Sequence, residues 1–176
     1  NSILNQINSP FIIASDILIE EGSNLFIESG TTLRFFADSR LIVRGNLFIM
    51  PGLVKSKIIG SGIIVMDGGN IVISDTDIEN INITGDEGNL TFFENINFLT
   101  NSKINLENIS RVQLYNVSKE NGTNNFENIS GIYLLDSEIS NIMINNSYET
   151  IIFNTDIENY EQNFRTRAIA EDSNIN

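Results

Sequence analysis

Apolar residues stand at every second position in short runs along this chain, and the runs return at a spacing of about twenty residues. The clearest run is Ile71-Val72-Ile73-Ser74-Asp75-Thr76-Asp77-Ile78-Glu79-Asn80, and blurred copies follow at 91–98, 112–118, 132–139 and 150–157. Aligned on Asp75, Asn95, Asn116, Asp136 and Asn154, the copies carry Ile73, Phe93, Leu114, Leu134 and Ile152 two positions earlier, all apolar. Four positions earlier stand Ile71, Thr91, Val112, Ile132 and Thr150, all β-branched. Three positions later stand Ile78, Phe98, Lys119, Ile139 and Ile157, with one polar exception. A period of two places such columns on one face of an extended strand, whereas a helix needs apolar spacing near 3.6.

Short strands separated by Asn, Asp, Gly and Ser at this period predict a parallel β-solenoid of about seven to eight coils. Coils in such a stack lie about 4.8 Å apart, so equal positions sit above one another. The aligned Asp75, Asn95, Asn116, Asp136 and Asn154 would then form an inward-facing ladder at one turn, each carboxamide bonding its neighbours along the stack. Parity directs Phe92, Tyr115, Tyr133 and Phe153 outward, as candidate surface-binding aromatics.

The first ten residues carry Ile3, Leu4 and Ile7 at a helical spacing that Pro10 ends, and read as an N-terminal cap. Residues 11–160 read as the solenoid and 161–176 as a C-terminal cap or tail. From Phe11 to Met50 the apolar clusters 11–13, 17–19, 25–27, 33–35, 41–43 and 47–49 are strands, three to a coil, with Gly22, Gly30 and Gly45 at corners that favour positive φ.

The run from Ser9-Pro10-Phe11-Ile12-Ile13 through Asp16-Ile17-Leu18-Ile19-Glu20-Glu21-Gly22 to Gly30-Thr31-Thr32-Leu33-Arg34-Phe35 resembles the opening coils of right-handed parallel β-helix proteins. Leu41-Ile42-Val43-Arg44-Gly45-Asn46-Leu47-Phe48-Ile49 is similar to their next coil. Those proteins form the pectate-lyase-like superfamily, common among bacterial secreted and surface proteins. The resemblance covers about forty residues well and implies a fold and its right hand rather than one activity, because the fold hosts lyases, hydrolases, adhesins and viral fibres.

Charge narrows the partners. A formal net charge of −13 with only ten scattered Lys and Arg argues against nucleic acid. No apolar run approaches the ~18 residues of a membrane helix, so no membrane insertion is expected. Cysteine is absent, which removes disulfides and zinc–thiolate sites. Asn1 stands where an initiator Met would, so the chain is expected to be a processed product or an excerpt.

Histidine is absent too, which removes Ser-His pairs and the commonest general base. Asn154-Thr155-Asp156 is similar to the Asn-Thr-Asp of polygalacturonases, but Ile157 follows it and the chain has no Asp-Asp pair, so no catalytic residue is carried over. The clusters Asp75-Asp77-Glu79, Asp86-Glu87 and Asp156-Glu158, with Glu94, Glu120 and Glu138 stacked nearby, predict an acidic stripe of the kind a glycosidase or lyase could use. No cofactor is expected. Calcium is the ion that Asp75, Asp77 and Glu79 would take, although the glycine and final Glu of an EF-hand loop are not in place. Seven Asn-X-Ser/Thr sequons, at Asn82, Asn89, Asn108, Asn116, Asn121, Asn128 and Asn145, read as products of composition.

Together these features predict a non-enzymatic extracellular structural or binding module, such as an adhesin, stalk or fibre segment, that meets a glycan or a protein on a cell or virion surface. A polysaccharide lyase or hydrolase of β-helix type is the alternative. A homo-oligomeric viral or phage fibre domain is a third.

Overall fold

The computed structural model describes residues 1–99, 101–163 and 167–176, and the side chains of 120, 121, 167 and 168 fall outside it. It is an all-β parallel solenoid in which every pairing joins strands of successive coils in parallel. About eight turns stack along three faces.

The first face begins with β1 (Ser2–Leu4), followed by β4 (Asn24–Ile27) and β7 (Asn46–Ile49), each paired with the next. It continues through residues 70–74, 90–94 and 111–115, then 131–135, 149–153 and 167–171. Nine rungs therefore stack on this face, which by the inter-strand spacing makes a rod about 40 Å long. The second face opens with β2 (Phe11–Ile13) and β5 (Thr32–Phe35), and the third with β3 (Ile17–Ile19) and β6 (Arg40–Val43).

Period-two alternation builds the core. The columns through Ile71 and Ile73 pair in register from coil to coil and are buried throughout the aligned copies, Thr91 and Thr150 included. The column through Ile78 is buried as well, and its polar member Lys119 is only 1% exposed. Between the two inward columns of the first face runs one outward column: Ile3, Phe26, Phe48, Val72, Phe92, Gln113, Tyr133, Ile151 and Ile169. Phe26 and Phe48 stack with centroids 5.1 Å apart and planes 13° from parallel, which is what one rung of separation allows.

Corners are made differently at the two ends. In the early coils Gly22 and Gly30 turn at φ of 73° and 75°, as expected. Gly45 does not adopt positive φ. A Cβ there would lie 2.2 Å from the Ser23 carbonyl oxygen, so glycine serves close backbone approach rather than an unusual dihedral. Later corners use a single Asn or Asp in the left-handed region, among them Asp75, Asn95, Asn116, Asp136 and Asn154 at φ of 44–54°.

The boundary drawn at residue 10 falls inside the first coil, because Ser2–Leu4 already pairs with residues 25–27. Among the described residues only the 3-10 turn Gln6–Asn8 is helical; Asn5 caps it, its Oδ1 accepting from the Asn8 N–H at 3.1 Å. Ile3, Ile7 and Leu18 stay exposed at this end. At the other end Arg167–Glu171 and Asn174–Ile175 pair as further rungs, while Arg165 lies outside the described residues. No helix among the described residues is long and apolar enough to cross a membrane.

Candidate functional site

The aligned Asn/Asp positions do stack, and side-chain hydrogen bonds join most of them. Asn95 Nδ2 donates to Asp75 Oδ1 at 3.0 Å, Asn116 Nδ2 to Asn95 Oδ1 at 2.6 Å, and Asn154 Nδ2 to Asp136 Oδ1 at 2.7 Å. The expectation of an inward ladder is corrected. Asn116, Asp136 and Asn154 are exposed, and Asp75 and Asn95 half-buried. A left-handed residue at a corner carries its side chain along the rim of the coil, so the file runs up an outer edge. It is also interrupted: Asp136 has no amide to donate to Asn116, so a carboxylate can only start a new segment.

A second ladder went unrecognised in the sequence. Asn24 donates to Asn1 at 2.7 Å, Asn46 to Asn24 at 2.6 Å and Asn70 to Asn46 at 2.7 Å, and the Leu90 N–H then donates to Asn70 Oδ1 at 3.1 Å. Its spacing of 22–24 residues was the available signal; it differs from the 20–21 of the Asp75–Asn95–Asn116 file and so escapes a fixed-period alignment.

Asp75, Asp77 and Glu79 do not converge on a calcium position. Asp75 accepts from Asn95 and from the Gly52 N–H, Asp77 from Asn97 at 2.9 Å with Lys55 Nζ at 3.5 Å, and Glu79 faces solvent. Among the described residues no group of three or more His, Cys, Asp or Glu is placed to hold a metal ion. The predicted single acidic stripe also divides. Asp77, Glu138 and Asp156 share an outward column of the second face, interrupted by Asn97 and Ser118. Glu94 lies on the first face, and the side chain of Glu120 falls outside the described residues.

The four aromatics come together on the first face. Phe92 and Tyr133 occupy its central outward column, and Tyr115 and Phe153 the column two residues along, within four adjoining rungs. Tyr115 is 39% and Phe153 41% exposed. Tyr133 is held from both sides: its hydroxyl donates to Glu149 Oε2 at 3.0 Å, and the Arg111 guanidinium sits 5.7 Å above its ring. The hydrogen bond to Glu149, and then burial, keep the Tyr133 phenol above its ordinary pKa. Tyr148, 82% exposed at the corner before the 149–153 rung, is an outward aromatic that parity alone did not single out.

The third face holds a groove of whose acids sequence reasoning named only Asp86. This shallow groove of about 510 Å³ is lined by Asp67, Asp86, Glu107 and Glu127 with Val65, Thr84 and Asn105. Met66 pairs with Gly85 and Asp86 with Glu107, so these carboxylates occupy one column on successive rungs. Their backbones on adjacent rungs are therefore about 5 Å apart by the inter-strand spacing. Asp67 is engaged by Arg44 Nε at 2.7 Å and Asp86 by Asn108 Nδ2 at 2.8 Å. Carrying the repeat onto the third strand of each coil would have exposed this column.

The arrangement thus defines a class, a parallel β-solenoid with one uncharged, aromatic-bearing outer column and one acidic groove. No family model matches the chain, and neither does a curated protein or a solved structure.

Proposed function

We propose that the protein is a non-enzymatic extracellular structural and binding module, a stiff rod that presents its first face to a partner on a surface. The observation that supports this reading is the clustering of Phe92, Tyr115, Tyr133 and Phe153 in two adjoining outward columns of one face. Flat rings spaced by rungs offer stacking area to a sugar ring or an apolar protein surface, and Arg111 and Glu149 at the margin supply directional polar groups. The test is an array of glycans and surface proteins probed with the parent chain and with a variant carrying Phe92→Ala, Tyr115→Ala, Tyr133→Ala and Phe153→Ala. The expected result is a ligand whose binding falls at least tenfold in the variant while the circular dichroism spectrum is retained. A ligand bound equally by both would remove the aromatic face from the function.

The carboxylate column of the third face favours a second reading, a polysaccharide lyase or hydrolase of the pectate-lyase-like type. Carboxyl pairs about 5–10 Å apart are the spacing that glycoside hydrolysis uses. Release of reducing ends or of unsaturated uronate from acidic polysaccharides, abolished by Glu107→Gln, would establish it. Absence of both products across such a panel would dismiss it.

A further inference from the structure

We propose that the occupant of the first face is a second copy of this chain, the two rods lying face to face along their central outward columns. The inference rests on the reading of this face as the contact surface and names its partner.

Charge supplies the first argument. None of the nine side chains in that column, from Ile3 to Ile169, is charged, in a chain with 33 charged residues among 176. The other faces contrast sharply with it. The equivalent outward column of the second face includes Lys57, Asp77, Glu138 and Asp156, and the rim of the third-face groove carries Arg44, Asp67, Asp86, Glu107 and Glu127. A chain of net charge −13 meets its own copy with least repulsion along a central column that holds no acid. Interface centres are depleted of charge and enriched in aromatic side chains in the same way.

Area supplies the second. Nine rungs of three to five residues, at about 4.8 Å between rungs and 3.3 Å between residues, give a strip of roughly 650 Å² on each copy, or roughly 1,300 Å² in all, with Glu94, Arg111, Glu149 and Glu171 in the margin columns as a polar rim. Stable pairs bury about 1,200–2,000 Å². The N-terminal end, where Ile3, Ile7 and Leu18 are exposed, offers roughly 200 Å² of cross-section by the same spacings. That is too little to hold two free molecules together.

Sedimentation velocity on the 176-residue chain tests this, from 1 to about 100 µM. The expected species has twice the 19.7 kDa mass of one chain. Phe48→Glu and Ile151→Glu lie toward opposite ends of the strip and outside the four aromatics. Each is expected to weaken association at least tenfold with an unchanged circular dichroism spectrum. Phe48→Gln, which adds no charge, repeats the test if glutamate unfolds the chain. Glu138→Lys on the second face and Leu18→Glu at the N-terminal end should leave the dimer intact. A parent chain monomeric at 100 µM, or a dimer that Leu18→Glu dissolves and Phe48→Glu does not, overturns the inference. A monomer whose glycan or protein binding is still lost with the aromatics would leave the proposed function standing without it.

Discussion

Lys119 is the one charged side chain in the core column that otherwise reads Ile78, Phe98, Ile139 and Ile157. Its Nζ donates to the Ser102 carbonyl and lies 5.3 Å from the centre of the Phe98 ring. Burial, helped by the nearby Lys103 ammonium, pulls its pKa from 10.5 down to about 8. A displacement of that size corresponds to about 3 kcal/mol of preference against the charged form in the fold. Replacing Lys119 by Met removes that cost together with the contacts of the side chain, the Ser102 hydrogen bond and the cation–π contact among them. The pKa displacement is what the pH dependence reads, so the parent chain should gain about 2 kcal/mol of stability relative to Lys119→Met between pH 7 and pH 9.5. The pH dependence fixes the cause. Below pH 8 folded and unfolded chains both hold the proton, and the cost is constant. Between about 8 and 10.5 the folded state sheds it first, so the unfolded state binds more protons and the stability of the parent chain rises with pH. Urea unfolding of both proteins at pH 7 and pH 9.5, followed by circular dichroism, should show that relative gain of the parent chain at the higher pH. A difference unchanged between the two pH values refutes the argument.

Asn95→Ala loses two ladder bonds and puts Ala at φ 54°, which should cost about 2–4 kcal/mol, whereas Asn95→Gly keeps the dihedral easy and should cost about 1–2 kcal/mol; urea midpoints of the pair separate ladder from strain. Gly60→Ala places a Cβ 2.0 Å from the Phe35 carbonyl oxygen at φ 123° and should lower stability by at least about 3 kcal/mol, read as a fall in melting temperature. The buried Thr150 hydroxyl finds no partner among the described residues, so Thr150→Val should raise the unfolding free energy by about 1 kcal/mol, and a loss would show that the hydroxyl is bonded after all.

The early strands were legible because each is an apolar triplet between polar turns: the clusters at 11–13, 17–19 and 33–35 are found within one residue of β2, β3 and β5. The register of the later coils was legible too, since Ile71, Thr91, Val112, Ile132 and Thr150 pair in succession. Parity is a property of the backbone, so it could place Phe92 and Tyr133 outward before any contact was known. What parity cannot give is the direction of a side chain on a left-handed corner residue, where the alternation is broken. That is why Asn116 was expected inside and stands exposed. The groove on the third face escaped for another reason. Asp67, Asp86, Glu107 and Glu127 lie at intervals of 19, 21 and 20 residues, and this column meets the first-face repeat only once the corners between them are counted.

Part of the abundance of asparagine has a physical cause in those corners. Among the described residues, twelve of the thirteen non-glycine residues at positive φ are Asn or Asp. Glycine would turn as sharply but has no side chain to join the next coil. Every other residue pays the left-handed steric cost without a compensating local bond. Asparagine alone both tolerates the dihedral and can donate and accept along the stack, so the corner and the coil-to-coil tie are made by one residue. Aspartate accepts but cannot donate, and it stands accordingly at the start of its segments, at the left-handed corners as Asp75 under Asn95 and Asp136 under Asn154, and within strands as Asp77 under Asn97, Asp86 under Asn108 and Asp156 under Asn174. In all five the donor belongs to the later coil. The sequons acquire a physical reading by the same logic. Asn108 and Asn116 already commit their Nδ2 to a neighbouring coil, so a glycan on either would break a ladder bond, and the sequence pattern there records the turn chemistry of the solenoid.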